Sequence, residues 1–186
     1  MTADLVERAR TGDHDAFSRL VQLDGDRCYA IAIGILRDRD RAQDAVQQAF
    51  MVAWRDLPQL RDASRFEPWL HRLLVRTCYQ EARRHRRWSI HVVALPAEGP
   101  DEPRKGDSTV SVGERDALER AFVGLSPEHR AVVLLHHHIG WTLPECAEIL
   151  GVPLGTVKSR LYYATRLLRA SIEAAGPATR SERMPA

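Results

Sequence analysis

Between Thr142 and Arg169 two apolar periods of helical type are separated by a single glycine turn, and few folds accommodate that arrangement. Thr142-Leu-Pro-Glu145 has the pattern of a capping box, Leu143, Cys146, Ala147 and Leu150 share one face of the helix it opens, and Gly151 supplies the stop. Beyond the turn, Leu154, Val157, Leu161, Ala164 and Leu168 repeat at spacings of three and four, so a second helix buries one stripe. A helix, a tight glycine turn and a second helix form a helix-turn-helix. On the second helix Thr156, Ser159, Tyr163 and Arg166 point away from the stripe and Lys158 and Arg160 flank it, with no carboxylate from Gly151 to Arg169. Such a face suits a DNA major groove. Small polar residues approach base edges and phosphates, the cations donate to guanine or phosphate, and the helix dipole favours an anion at its N-terminus.

The rest of the chain is helical in pattern, which predicts an all-α protein; only the short apolar HVVAL after Ile90 is ambiguous. Helices are expected after Thr2, after Asp13 with Ala16, Phe17, Leu20 and Val21 inward, and after Asp40 with Ala42, Ala45, Val46, Ala49 and Ala53 inward; Pro58 ends the third. A fourth is expected from about Pro68 to Arg87, so residues 1–87 read as a four-helix bundle. Residues 88–112 carry Pro96, Pro100 and Pro103 with mixed charge and little to bury, the composition of a flexible linker. A second small domain then spans 113–175, with helices from Gly113 to Gly124 and from Ser126, the cap, to about Ile139, followed by the helix-turn-helix. The tail, 176–186, is expected to be disordered.

A net charge of +2 does not by itself point to a polyanion, but its distribution does. From Met1 to Asp62 there are 11 acids against 9 arginines, whereas Trp69 to Arg87 holds Arg72, Arg76, Arg83, Arg84, Arg86 and Arg87 against Glu81 alone. Two basic helical faces in a balanced chain are where phosphates would release counterions. Cys28, Cys78 and Cys146 lie far apart with no CxxC pair, which predicts buried reduced thiols rather than a disulfide framework or a metal site. The His136-His137-His138 run does not converge on one ion, because successive helical residues diverge by about 100°. No P-loop, HExxH or glycine-flanked nucleophile is present, so neither an enzyme nor a cofactor is expected. No apolar run approaches a membrane span or signal peptide, and a cytoplasmic protein is expected.

The string GTVKSRL, preceded by ECAEILGVP and by LSPEHRAVVLLHHHIGWTLP, resembles the C-terminal domain of bacterial RNA polymerase sigma factors of the extracytoplasmic-function group. DRDRAQDAVQQAFMVAW resembles that family's polymerase-gripping helix, and FEPWLHRLLVRTCYQEARRHRR its promoter-melting helix. The resemblance implies a region 2 domain over 1–87 that binds core polymerase and recognises and opens the −10 element, and a region 4 domain over 113–175 that reads the −35 element. It carries core-polymerase binding to Asp44, Gln47, Gln48, Phe50 and Trp54, of which Phe50 and Trp54 suit the core equally well. It carries −10 contacts to Arg61, Ser64, Arg65, Phe66, Trp69, Arg72, Arg83, Arg84 and Arg87, beside which Arg76 is a candidate phosphate contact of this chain's own, and −35 contacts to Thr156, Lys158, Ser159, Arg160, Tyr163 and Arg166. The loop from Leu60 to Glu67 corresponds to the segment that captures a flipped-out base. Where Arg76 and Gln80 stand the family usually has asparagine and aspartate, so contacts made there do not carry over. The implied partners are the β′ coiled coil and β flap of core polymerase, promoter DNA, and an anti-sigma factor.

A free coil of the linker's 25 residues spans about 28 Å and its extended limit is about 80 Å, against promoter elements on the order of 50 Å apart. A stretched linker reaches both elements, and without DNA the two domains either tumble independently or pack together. The rival reading is a self-sufficient helix-turn-helix regulator that dimerises on duplex operator DNA, which leaves the first domain without a task.

Overall fold

The computed structural model describes residues 2–92 and 112–175, with side chains for 2–86 and 116–174 of these. The chain forms α1 (Thr2–Arg10), α2 (His14–Leu36), α3 (Arg39–Asp56), α4 (Phe66–Val92), α5 (Val112–Gly124), α6 (Pro127–Val133), α7 (Leu143–Leu150) and α8 (Leu154–Ala175), with no strand among the described residues. The segment 93–111 of the expected linker and the tail 176–186 lie outside them.

Local chemistry sets most of the boundaries. Asp13 caps α2 by accepting from the Ala16 N–H at 3.0 Å. The sequence points to Asp40 as the cap of α3, but the cap is Asp38, which accepts from Arg41 N at 2.9 Å. Arg37 explains the difference: at φ 58 it ends α2 with its N–H on the Ile33 carbonyl at 2.8 Å, and the chain turns back at once. Pro58 falls in a 3-10 turn, Leu57–Gln59, that closes α3. A second such turn, Ala63–Arg65, is tied by Asp62 to Ser64 and leads into α4. That helix begins at Phe66 and extends through Val92, five residues past the expected end at Arg87.

In the second half, Ser126 accepts from His129 N at 3.4 Å and opens α6, with Pro127 in the first turn. An unbroken α-helix to Ile139 is expected; instead α6 stops at Val133 and widens into a π-helical turn, Leu134–Ile139, closed by Gly140 at φ 92. The wider turn brings the Trp141 N–H onto the Leu135 carbonyl at 3.0 Å. The capping box forms as read: Thr142 N donates to Glu145 Oε2 at 2.8 Å, Thr142 Oγ1 accepts from Glu145 N at 3.4 Å, and Gly151 terminates α7 at φ 65.

Leu20, Ile31, Ile35, Leu57, Phe66, Leu70 and Leu74 fill the first bundle, and Ala131, Val132, Leu135, Cys146, Ile149 and Val157 the second unit. Of the two arrangements open to the domains, the structure takes the packed one: α7 lies along α4, α6 lies against α2, and the buried side chains join in one continuous cluster. All three cysteines are free and buried within it. Burial pushes the thiols of Cys28 and Cys78 up to about 12, so they are unreactive at neutral pH.

Candidate nucleic-acid interface

The helix-turn-helix places its second helix as a rod with one buried and one outward face. Val157 and Ala164 are fully buried and Leu161 and Leu168 half-buried, so the stripe docks α8 on α5, α6 and α7. Leu154, read as part of that stripe, is 37% exposed at the first position of the helix, where the turn has not yet carried it under α7. Lys158, Ser159, Tyr163 and Arg166 face outward, while Thr156 and Arg160 are half-buried at the margins. Tyr162, at 70% exposed, stands in the middle of this face and was not singled out by the sequence pattern; its flank of small and basic residues at 155, 158, 159 and 166 was the available signal. Ser159 turns its hydroxyl back to Thr156 O at 3.0 Å, which leaves Lys158, Tyr162, Tyr163 and Arg166 as the projecting groups. The ring of Tyr163 lies 4.9 Å from that of His129, which fixes its direction.

On α4, Trp69, Arg72, Arg76 and Arg83 recur at helical spacing and share one face, on which all but the half-buried Trp69 are exposed. Arg84 is also exposed and lies 3.7 Å from Glu81, and the side chain of Arg87 lies outside the described residues. Arg61, Ser64 and Arg65 are exposed on the preceding loop, where Asp62 accepts from both the backbone and the hydroxyl of Ser64 at 2.9 and 2.7 Å and holds the turn. Those hydrogen bonds keep the Asp62 carboxyl below its usual range. Phe66 is 2% exposed and packs 6.0 Å from Trp69, so in this state it belongs to the core.

A third feature is an apolar groove of about 680 Å³ between α2 and α3. Gln47, Phe50 and Trp54 line it together with Phe17, Val21 and Met51. Its floor is aromatic, with Phe17 4.9 Å from Trp54 and 6.4 Å from Phe50, and His14 stacks on Trp54 at 4.5 Å. Met51 stands 60% exposed at its lip, and Phe50 is 8% exposed, so its ring serves core and groove together. Asp44 and Gln48 are exposed on α3 outside the groove lining. His136, the first of the three adjacent histidines, is engaged through Nδ1 with the Trp141 carbonyl at 2.8 Å.

Family models describe both halves: Sigma-70 region 2 matches residues 20–88 and Sigma-70 region 4 matches residues 115–168. The ECF RNA polymerase sigma factor SigL of Mycobacterium tuberculosis is 32% identical over 149 residues, which cover 80% of this chain and 84% of SigL. This chain belongs to the extracytoplasmic-function sigma factors of bacterial RNA polymerase. The sigma factor SigW of Bacillus subtilis is 25% identical over 173 residues, covering 88% of this chain and 92% of SigW. Among solved structures, CnrH in complex with the cytosolic domain of CnrY matches this sigma factor with a TM-score of 0.64 at 25% identity, over 93% of this chain and 97% of that one. RpoE of Bartonella quintana, solved with the anti-sigma factor NepR, matches with a TM-score of 0.65 at 25% identity, over 84% and 96%. As a sigma factor the protein directs promoter-specific transcription, and the dimeric-regulator alternative is not favoured. No helix among the described residues is long and apolar enough to cross a membrane.

Proposed function

We propose that the three surfaces divide initiation among them. The α2–α3 groove takes the β′ coiled coil of core polymerase, with Gln47, Phe50 and Trp54 on its wall and Asp44 and Gln48 beside it. The basic face of α4 and its preceding loop, from Arg61 through Arg83, hold the unwound −10 strand. Bases stack and phosphates pair there, and the few kcal/mol that unpairing costs are offset by binding. The outward face of α8 reads the −35 duplex through Lys158, Tyr162, Tyr163 and Arg166, with the second unit also meeting the β flap. The protein adds no bond-making chemistry, which belongs to the polymerase, and it acts in the cytoplasm. The observation that carries this reading is the outward face of α8, free of carboxylates from Leu154 to Arg169 and held rigidly by a buried stripe. An anti-sigma partner that covers the groove fits the same surfaces; RpoE of Bartonella quintana was solved with the anti-sigma factor NepR, and CnrH with the cytosolic domain of CnrY. The test is gel shift of promoter duplex with and without core polymerase: tight, specific binding is expected only with polymerase. A specific shift by the chain alone on a palindrome would overturn it.

A further inference from the structure

The buried stripe fixes α8 on its domain, but the aim of each outward side chain is set by what lies beside it. Tyr163 is 52% exposed, against 70% for the adjacent Tyr162. One flank of the Tyr163 ring is taken by the imidazole of His129, 4.9 Å away between centroids and tilted by 48°. His129 belongs to α6, which packs against α8 and lies outside the helix-turn-helix formed by α7 and α8. Tilted ring pairs at this separation attract, so one direction of the Tyr163 ring is favoured over the swing of an unbraced side chain.

The imidazole is itself held. Its Nδ1 lies 2.7 Å from the hydroxyl of Ser126, the residue that caps α6. A half-buried ring anchored to a helix cap is a firm support, because the cap moves only with the helix. Burial and the nearby charge of Arg160 lower the pKa of His129 against the opposing pull of Glu128, so at neutral pH the ring that meets Tyr163 is uncharged. Arg160 stands three residues before Tyr163 on the same margin of α8, and the two side chains share a face.

A tyrosine free to swing accommodates several base pairs, whereas one braced on a fixed ring rewards a single contact geometry and gives up less freedom on binding. We propose that His129 is a specificity-determining residue for the −35 element, a positioning residue that braces Tyr163 from outside the helix-turn-helix while Ser126 anchors the brace. It acts through Tyr163 and makes no base contact of its own. The inference rests on the reading of the −35 duplex by α8 proposed above.

The test uses holoenzyme, assembled from core polymerase and the full chain, on a promoter library randomised over the −35 positions, with the bound duplexes sequenced. Tyr163→Ala is expected to flatten the preference at the base pairs it faces. His129→Ala is expected to flatten the same pairs by about fivefold in relative affinity, the range an aromatic pair supports, and to add nothing in the Tyr163→Ala background. His129→Phe, which keeps a ring beside Tyr163, recovers most of the preference. Uniform weakening of all −35 sequences by His129→Ala, an equal effect in the Tyr163→Ala background, a lowered Tm with the preference intact, or no recovery in His129→Phe would each overturn the proposal. A check that leaves α6 unaltered is the NMR signal of the His129 imidazole protons, which is expected to shift in Tyr163→Ala; an unchanged signal also overturns the brace. These failures leave the reading of α8 standing on Lys158, Tyr162 and Arg166, whereas an unaltered holoenzyme with no preference at any −35 position overturns that reading and this proposal together.

Discussion

Tyr79 places its hydroxyl inside the boundary between the two halves with no hydrogen-bond partner, and burial raises its pKa. An unsatisfied buried hydroxyl costs about 1–3 kcal/mol, and removing it leaves the ring contacts in place. Tyr79→Phe is therefore expected to stabilise the packed chain by about 1 kcal/mol, read as a rise in Tm; a fall would show a missing partner. His71 carries the opposite kind of dependence. Burial, with Arg27 adding repulsion, lowers it to about 4 from 6.5, so the unfolded chain takes up a proton that the packed chain refuses. Its contribution is complete above pH 6.5 and is lost as pH falls from 6.5 toward 4, reaching on the order of 3 kcal/mol. The difference in Tm between the natural protein and His71→Gln, followed over that range, isolates it from His129 and the carboxylates; parallel curves would contradict the assignment. Neither role was legible in sequence. The spacing of a basic helix assigns no role to a histidine or a tyrosine whose partners, such as Trp141, lie far along the chain.

Elements whose determinants are local were legible. Thr142, Glu145 and Gly151 lie within one helix and its ends, and the capping box and glycine stop form as the spacing requires. Thr142→Ala is expected to cost about 1 kcal/mol, measured by denaturant midpoint, since it orphans the N–H of Glu145 and frees the carboxylate that hydrogen bonding to Thr142 now holds below its usual range. The same locality fails where two signals compete. Asp38 and Asp40 are both competent caps, and the choice was made by Arg37 in a left-handed conformation that no residue pattern announces. The π-helical widening after Val133 escaped for a similar reason, since an apolar period of three to four fits it as well as an α-helix. For α8 the stripe was readable and fixes the outward face, although it did not isolate Tyr162. Lys158→Ala in holoenzyme is expected to weaken all promoters alike and to lower the slope of log K against log salt by about 1, whereas Tyr162→Ala should alter −35 base preference and leave that slope unchanged. Titrations at several salt concentrations separate the two; a salt-slope change in Tyr162→Ala would contradict the division.

At the scale of the whole molecule, composition and motif gave two helical units and their family, while the contacts that decide how the units meet span long sequence separations. Arg130 and Ile35 are 95 positions apart, and Trp141 and His71 are 70 apart. No periodicity encodes such a pairing, because each partner also satisfies the pattern of its own helix. The groove was half legible for the same reason: Gln47, Phe50 and Trp54 came from the family resemblance of the α3 segment, but Phe17 and Val21 read as bundle core until α2 and α3 left a gap above them. The account joins these surfaces into one task, in which a polymerase-held chain opens one element and reads another. Run-off transcription from a natural promoter with purified core polymerase tests that most directly. Addition of this protein is expected to produce RNA from a defined start, and Arg72→Ala with Arg76→Ala to reduce it on duplex but less on a template already melted at −10. Core polymerase that initiates at no promoter when the protein is present would contradict the account.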